Sequence, residues 1–209
     1  VAARNVSAIV DISGLSRTSQ RRLVADLCEE LYAVNDSPRH IFLEEAQEFA
    51  PQTVTQSTSR CYSAVDVLVR LGRQKGLGCT IISQRSAQVN KSILSQASRL
   101  FLFRTTWNTD VAVMVELLRD SQQPEEVEWV RKTIRGLEPG VAWQWTPVAK
   151  TLWQVRIRAR RTYHAGATPT LGETRELKLL PVDTAAMAAD FAALAKGKKE
   201  EEEESARLR

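Results

Sequence analysis

Side chains that bind metals or act as nucleophiles are scarce in this chain. Its 209 residues include two histidines, His40 and His164, and three cysteines, Cys28, Cys61 and Cys79. The histidines are far apart, so a metal or nucleophile site built on them is not expected. The cysteines are odd in number and lack both zinc-ligand and C-x-x-C spacing, and they read as reduced core thiols of a cytoplasmic protein. No apolar run reaches the ~18 residues needed to span a bilayer, and the opening residues do not resemble a signal peptide, so no membrane role is expected. The pattern G-x-x-x-x-G-K-[ST], whose backbone amides and lysine cradle phosphates, does not occur. The stretch from Gly166 to Gly172 has the wrong spacing, and Glu173 stands where lysine belongs. What remains is an ordinary globular composition, 43% hydrophobic, long enough for one domain with appendages.

The most informative stretch runs from His40 to Pro51, His-Ile-Phe-Leu-Glu-Glu-Ala-Gln-Glu-Phe-Ala-Pro. Three apolar residues lead into two adjacent carboxylates. A short apolar run without alternation suits a strand buried on both faces. Glu44 and Glu45 then lie at its carboxyl end, where parallel α/β sheets place their chemistry. Two acids side by side in a half-buried place repel each other, and a cation or an acid/base task would account for the pair. A solvated pair that caps the next helix is the plainer alternative.

A second segment ends at the same predicted edge. Cys61, Ala64, Val65, Leu68 and Leu71 recur at helical spacing, and the glycines from Gly72 to Gly78 break that helix. Cys79–Ile82 is again a short buried run, followed by Ser83-Gln84-Arg85. A carboxamide donates from one atom and accepts at another, so Gln84 is suited to bridge a phosphate and a water. It equally suits an ordinary strand-end cap.

Further elements follow from the same signals. An amphipathic helix is predicted over Ser19–Tyr32, and helices over Asn90–Ala97, Thr109–Leu118 and Pro124–Ile134, the last with proline and acids in its first turns. Strands are predicted near Ser7–Asp11, Ile41–Glu44, Cys79–Ser83 and Leu100–Arg104. Val141–Trp145 and Gln154–Arg161 read as a β-hairpin. Within it Arg156, Arg158 and Arg160 would share one strand face, a candidate contact for DNA phosphates, for a neighbouring subunit or for acids of the same domain. Five tryptophans, at 107, 129, 143, 145 and 153, cluster near the hairpin and read as core. The tail Lys196–Arg209 balances five basic residues against Glu200–Glu204, so the net +4 lies in the body of the chain.

Taken together the chain is similar to the HerA/FtsK-like P-loop ATPases, and within them to the HerA branch. The matching blocks are Val10–Leu15 as a strand and turn, Leu43-Glu44-Glu45-Ala46-Gln47 as Walker B, Gly72-Arg73 through Ser83-Gln84-Arg85 as the sensor region, and Arg158–His164 as a C-terminal strand. The resemblance implies an α/β fold of RecA-like (ASCE P-loop) type, a mostly parallel sheet flanked by helices, with a C-terminal β-hairpin and helical tail. The division expected is 1–165 as the C-terminal part of that domain, 166–183 as an extended arm and 184–209 as a helical, charged tail.

It implies a homo-hexameric ring that hydrolyses ATP with Mg2+ to move DNA, with a nuclease or other effector as a possible partner. Glu44 would then be the metal-side acid, Glu45 the catalytic base and Gln84 the sensor. Arg73, or else Arg104, would be the arginine finger that reaches a neighbour's nucleotide. The family's phosphate loop lies upstream of these blocks. The chain is therefore expected to be the C-terminal part of a longer polypeptide, inactive alone. In the family's strand order 5-1-4-3-2, the loop-bearing strand would fall between the strands at 79–83 and 100–104. A conjugation or phage DNA-packaging motor and a non-hydrolysing scaffold subunit are the alternatives.

Overall fold

The computed structural model describes residues 7–119 and 122–161. The expected arm, the helical tail and the segment Thr162–His164 lie outside the described residues.

The first half is two helices packed on one face of a two-stranded sheet. Helix α1 (Arg17–Val34) starts at Ser16, whose hydroxyl accepts from the Ser19 amide, a standard N-cap. It buries Val24, Ala25, Cys28 and Leu31. Strand β1 (Arg39–Leu43) follows, then helix α2 (Ser59–Leu71), which buries Cys61, Ala64, Val65 and Leu68 at the spacing seen in the sequence. A 3-10 turn, Gly72–Lys75, closes on Gly76 at φ 73°, a conformation glycine adopts without a Cβ clash, and strand β2 (Leu77–Ile81) begins. Strands β1 and β2 pair in parallel, from Arg39 opposite Leu77 to Leu43 opposite Ile81.

Ile41, Leu43, Cys79 and Ile81 turn to the core beneath α1 and α2. The other face carries Phe42, which is 68% exposed. The expectation of a strand buried on both faces is therefore corrected. Among the described residues, helices cover one face only, and β1 alternates between half-buried and exposed positions. All three cysteines are free, and burial pushes the Cys28 thiol up to about 12.

The run at 7–11 forms no strand, and Ile9 is 98% exposed. A strand is stable only where its backbone groups find a ladder and its side chains a face, and this run has neither. What survives of that block is the turn: Asp11 Oδ1 accepts from the Ser13 amide, and Leu15 N–H donates to the Ile12 carbonyl.

The second half has its own core. Helix α3 (Lys91–Leu94), shorter than predicted, leads to strand β3 (Leu100–Phe103), helix α4 (Asn108–Arg119) and helix α5 (Pro124–Thr133). Helix α5 carries a capping box between Gln123 and Glu126 with proline in its first turn. Strands β4 (Val141–Thr146) and β5 (Thr151–Arg156) form the hairpin, and the antiparallel order is β3-β4-β5. Leu102, Trp143 and Trp145 join Val115, Leu118, Val130 and Ile134 in the core, while Trp107, Trp129 and Trp153 are exposed. No ladder joins β2 to β3 among the described residues; they are edges of separate sheets.

Candidate functional site

The loops that leave β1 and β2 are bound to each other by backbone. Ile82 N–H donates to the Leu43 carbonyl at 2.9 Å, and Ala46 N–H to the Ile82 carbonyl at 3.0 Å. Further along, Gln52 N–H donates to Gln88 and Asn90 N–H to Ala50, with a bridge between Pro51 and Val89. Ala46, Phe49, Ala50 and Val89 are buried, which pins both loops to the core. Helix α1 adds Arg17 and Arg21, which both pair with Glu48.

On this base the chain turns sharply at Glu45, which sits in the left-handed region at φ 49°, ψ 43°. For a residue with a Cβ this costs roughly 1–2 kcal/mol. Strain of this kind persists where the surroundings over-determine it, and it concentrates at functional sites. Beyond Glu45 the chain enters a 3-10 turn, Ala46–Glu48.

The turn presents the Glu45 carboxylate to two amides. Gln84 Nε2 donates to one oxygen at 2.7 Å, and Gln47 Nε2 to the other at 2.7 Å. Gln47 in turn accepts from the Ser83 hydroxyl at 2.6 Å, and Ser83 Oγ accepts from the Arg85 amide at 3.0 Å. The structure thus brings Glu45 and Gln84 together, as their positions in the sequence suggest. Glu44 and Glu45 are both exposed rather than half-buried, so solvent screens the repulsion expected between them.

Glu44 makes no hydrogen bond or ion pair among the described residues. An exposed carboxylate with both oxygens open fits magnesium, which takes hard oxygen ligands and is usually held by one or two carboxylates plus substrate phosphates and water. No group of three or more metal-ligating side chains occurs among the described residues, so the donor set does not suit an all-protein metal cage.

The residues after Gln84 are anchored differently. Asp110, on α4 and 1% exposed, accepts from Arg85 Nε, from the Ser86 hydroxyl and from the Ala87 amide, the last at 2.8 Å. Arg85 also lies over the Trp107 ring. Gln47, Ser83 and Asp110 are members of this region that sequence reasoning missed. Gln47 was visible two residues after Glu45. Asp110 stood beside the apolar face of a predicted helix, where an acid in the first turn reads as a dipole partner rather than a buried anchor.

The candidate arginines are not in this cluster. Arg73 lies in the 3-10 turn before β2, at the amino end of the sheet, opposite the edge that carries Glu45. Arg104 follows β3 and is exposed. Neither side chain makes a hydrogen bond or ion pair among the described residues. The basic strand face is corrected. Strand β5 ends at Arg156, and Ile157 makes the last backbone bond, to the Gly140 carbonyl, because β4 offers no partner beyond it. Arg158 and Arg160 therefore lie outside the strand, as do Ala159 and Arg161, the other described residues of the block beginning at Arg158. Arg156 pairs across from Val141, on the face that carries Trp143 and Trp145, and donates to Glu138 at 2.6 Å.

By sequence the chain matches no protein-family profile and no curated protein. By structure it is similar to B204, the DNA-packaging ATPase of Sulfolobus turreted icosahedral virus, with a TM-score of 0.50 at 13% identity over 72% of this chain and 66% of B204. The genome-packaging NTPase B204 of Sulfolobus turreted icosahedral virus 2 gives 0.49 at 13% identity in complex with ATP-γ-S, over 72% and 66% of the two chains. Its AMPPCP complex gives 0.49 at 13%, over 70% and 65%. The likeness is one of fold. This chain has the mixed α/β architecture of B204 from Sulfolobus turreted icosahedral virus, with a parallel sheet and helices, and it spans just under two thirds of the length of these matched chains. No described helix is long and apolar enough to cross a membrane.

Proposed function

We propose that this chain carries the water-activating half of a ring-forming, ATP-driven DNA motor of the HerA/FtsK kind. The observation that carries the reading is the 2.7 Å hydrogen bond from Gln84 to Glu45 at the carboxyl ends of two adjacent parallel strands. Glu45 is the general base that takes a proton from the attacking water, and Gln84 is the sensor that reports on the γ-phosphate. Glu44 would hold magnesium, which when bound neutralises charge on the phosphates. Arg73, at the far edge of the sheet, is suited to act on a neighbour's nucleotide rather than its own, with Arg104 as the second choice. DNA is the proposed track, a homo-hexamer the proposed ring, and a nuclease or other effector a possible partner.

The phosphates need a cradle of backbone amides and a lysine, and residues 1–209 contain no such loop. We infer that other polypeptide supplies it. Among the described residues β2 and β3 are edge strands of separate sheets, which supports this, since a further strand could pair with each. Within this reading a HerA-type translocase and a DNA-packaging motor are both open. The fold likeness to a packaging ATPase favours the second as much as the motif blocks favour the first.

The test is Glu45→Gln in the assembly that hydrolyses ATP. Turnover should fall roughly 10²–10⁴-fold while ATP still binds. Turnover within about threefold of wild type would remove Glu45 from the role of base. Should the intact assembly bind no ATP at all, the scaffold reading replaces the motor.

A further inference from the structure

We infer that Gln47 is a positioning residue for the Glu45 carboxylate: it keeps that group aimed while Gln84 is released to the nucleotide. The inference rests on the ATPase reading of Glu45 above and deepens it.

The two amides that hold Glu45 are bound unequally. Gln84 is exposed, and its bond to Glu45 is the only one its side chain makes among the described residues. Gln47 is half-buried and engaged at both ends, accepting from Ser83 and donating to Glu45. Its orientation is dictated as well. The Glu45 carboxylate can only accept, so Nε2 must face it, and Oε1 is left to accept the Ser83 hydroxyl proton. The residue before Gln47, Ala46, is fully buried, and Phe49 two positions on is 4% exposed, so the backbone beneath Gln47 is fixed. One amide is thus free to leave and the other is not.

The side-chain bonds Gln84–Glu45–Gln47–Ser83 close a ring of hydrogen bonds, and that ring is not needed to join the two loops. The backbone bonds Ala46 to Ile82, Gln52 to Gln88 and Asn90 to Ala50 already do so. What Gln47 adds is a fixed direction for a carboxylate on a left-handed residue. A misplacement of about 1 Å in such a group costs about 10²-fold in rate.

The decisive variant is Gln47→Glu. It keeps the shape and the acceptor for Ser83 but sets a second carboxylate against Glu45. In the assembly that hydrolyses ATP, kcat should fall about 10²-fold while KM for ATP stays within about twofold, the pattern of an interaction made to the transition state alone. A residue that only staples loops would tolerate this change, so wild-type kcat overturns the inference. A second measurement needs no nucleotide. In the full chain Gln47→Glu should lower the melting temperature, and adding Glu45→Gln should restore it, because an amide and a carboxylate then face each other with their ends exchanged. Failure of that restoration overturns the ring even where Glu45→Gln alone abolishes turnover. Restoration together with wild-type turnover in Glu45→Gln would instead sink the ATPase reading and leave the ring intact. Should Gln47→Glu not fold, Gln47→Leu removes both bonds without adding charge, and unchanged kcat there overturns the inference equally.

Discussion

Two carboxylates hold the same short segment after β2, and they hold it in opposite ways. Glu45 is exposed and meets Ser83 and Gln84 through side-chain amides and a hydroxyl. Asp110 is buried and meets Arg85, Ser86 and Ala87, in part through backbone. A buried carboxylate that receives several donors is fixed, and leaving those donors without it is costly. An exposed carboxylate held only by side chains can exchange one partner for a ligand at little cost. Asp110 therefore acts as an anchor, and the exposed Glu45 suits the role of base proposed above. The segment Ser83–Ala87 links the two, so Gln84 can move while the residues next to it stay put.

The comparison is sharpened most by asking which carboxylate works with another subunit. Arg73→Ala should remove hydrolysis, by roughly 10³–10⁵-fold if it is a finger in trans. Mixing that variant with Glu45→Gln subunits should restore part of the activity, since some interfaces then pair an intact Arg73 with an intact Glu45. An Asp110→Ala subunit should behave differently, because all the groups that Asp110 holds are in its own chain. Its defect should scale with the fraction of mutant subunits. Steady-state ATPase assays on mixed rings read both. Absence of rescue despite co-assembly would move the finger to Arg104 or leave Arg73 a structural role.

Of intermediate size is the effect of Asp110→Ala on the fold. The Ala87 amide loses a charged acceptor in a buried place, while the Ser86 hydroxyl keeps the backbone carbonyl of residue 110 and Arg85, 45% exposed, can return to water. The loss should be about 1–3 kcal/mol in urea unfolding. Glu45→Gln should change stability by clearly less. If the two variants proved equally destabilising, the division into anchor and chemical group would fail.

The isolated chain offers a third test. Residues 1–209 should bind ATP and magnesium weakly or not at all in calorimetry, because Glu44 and Glu45 have no phosphate cradle beside them. Micromolar binding would mean a phosphate site built from residues not recognised here, and the roles of Glu44 and Glu45 would have to be reassigned around it.

How much of this was legible beforehand differs by element. Both strands of the parallel pair were legible, since Ile41–Leu43 and Cys79–Ile81 are short apolar runs with polar ends. The run Ala8-Ile9-Val10 carries the same local signal and yet forms no strand, because a strand also needs a partner, which no local pattern reveals. The alternating arginines from Arg156 to Arg160 misled for the same reason: their period is that of a strand, but β4 gives out at Gly140. The approach of Gln84 to Glu45 was legible from two strands ending in polar residues. The ring through Gln47 and Ser83 was not, because it depends on the parallel register and on a left-handed turn at a glutamate, which no propensity favours.

A third carboxylate marks the low end of the comparison. Glu138 is exposed and pairs with Arg156, itself 67% exposed, at 2.6 Å. Such pairs contribute little, since water screens them and two long side chains must be ordered. Arg156→Ala should therefore shift the urea midpoint by less than about 1 kcal/mol of stability. The same pairing bears on DNA. A phosphate contact made by a free arginine contributes about 0.9 to the salt slope of binding, but Arg156 already faces a carboxylate on the face shared with Trp143 and Trp145. Arg156→Ala should leave the salt slope of DNA binding by the assembled protein unchanged, whereas Arg158→Ala, outside the strand and not engaged with a carboxylate among the described residues, should lower it by about 0.9 if this region touches DNA. A fall of that size for Arg156 would mean that the Glu138 pair opens on binding, and an exposed pair would then have a function that its small contribution to stability conceals.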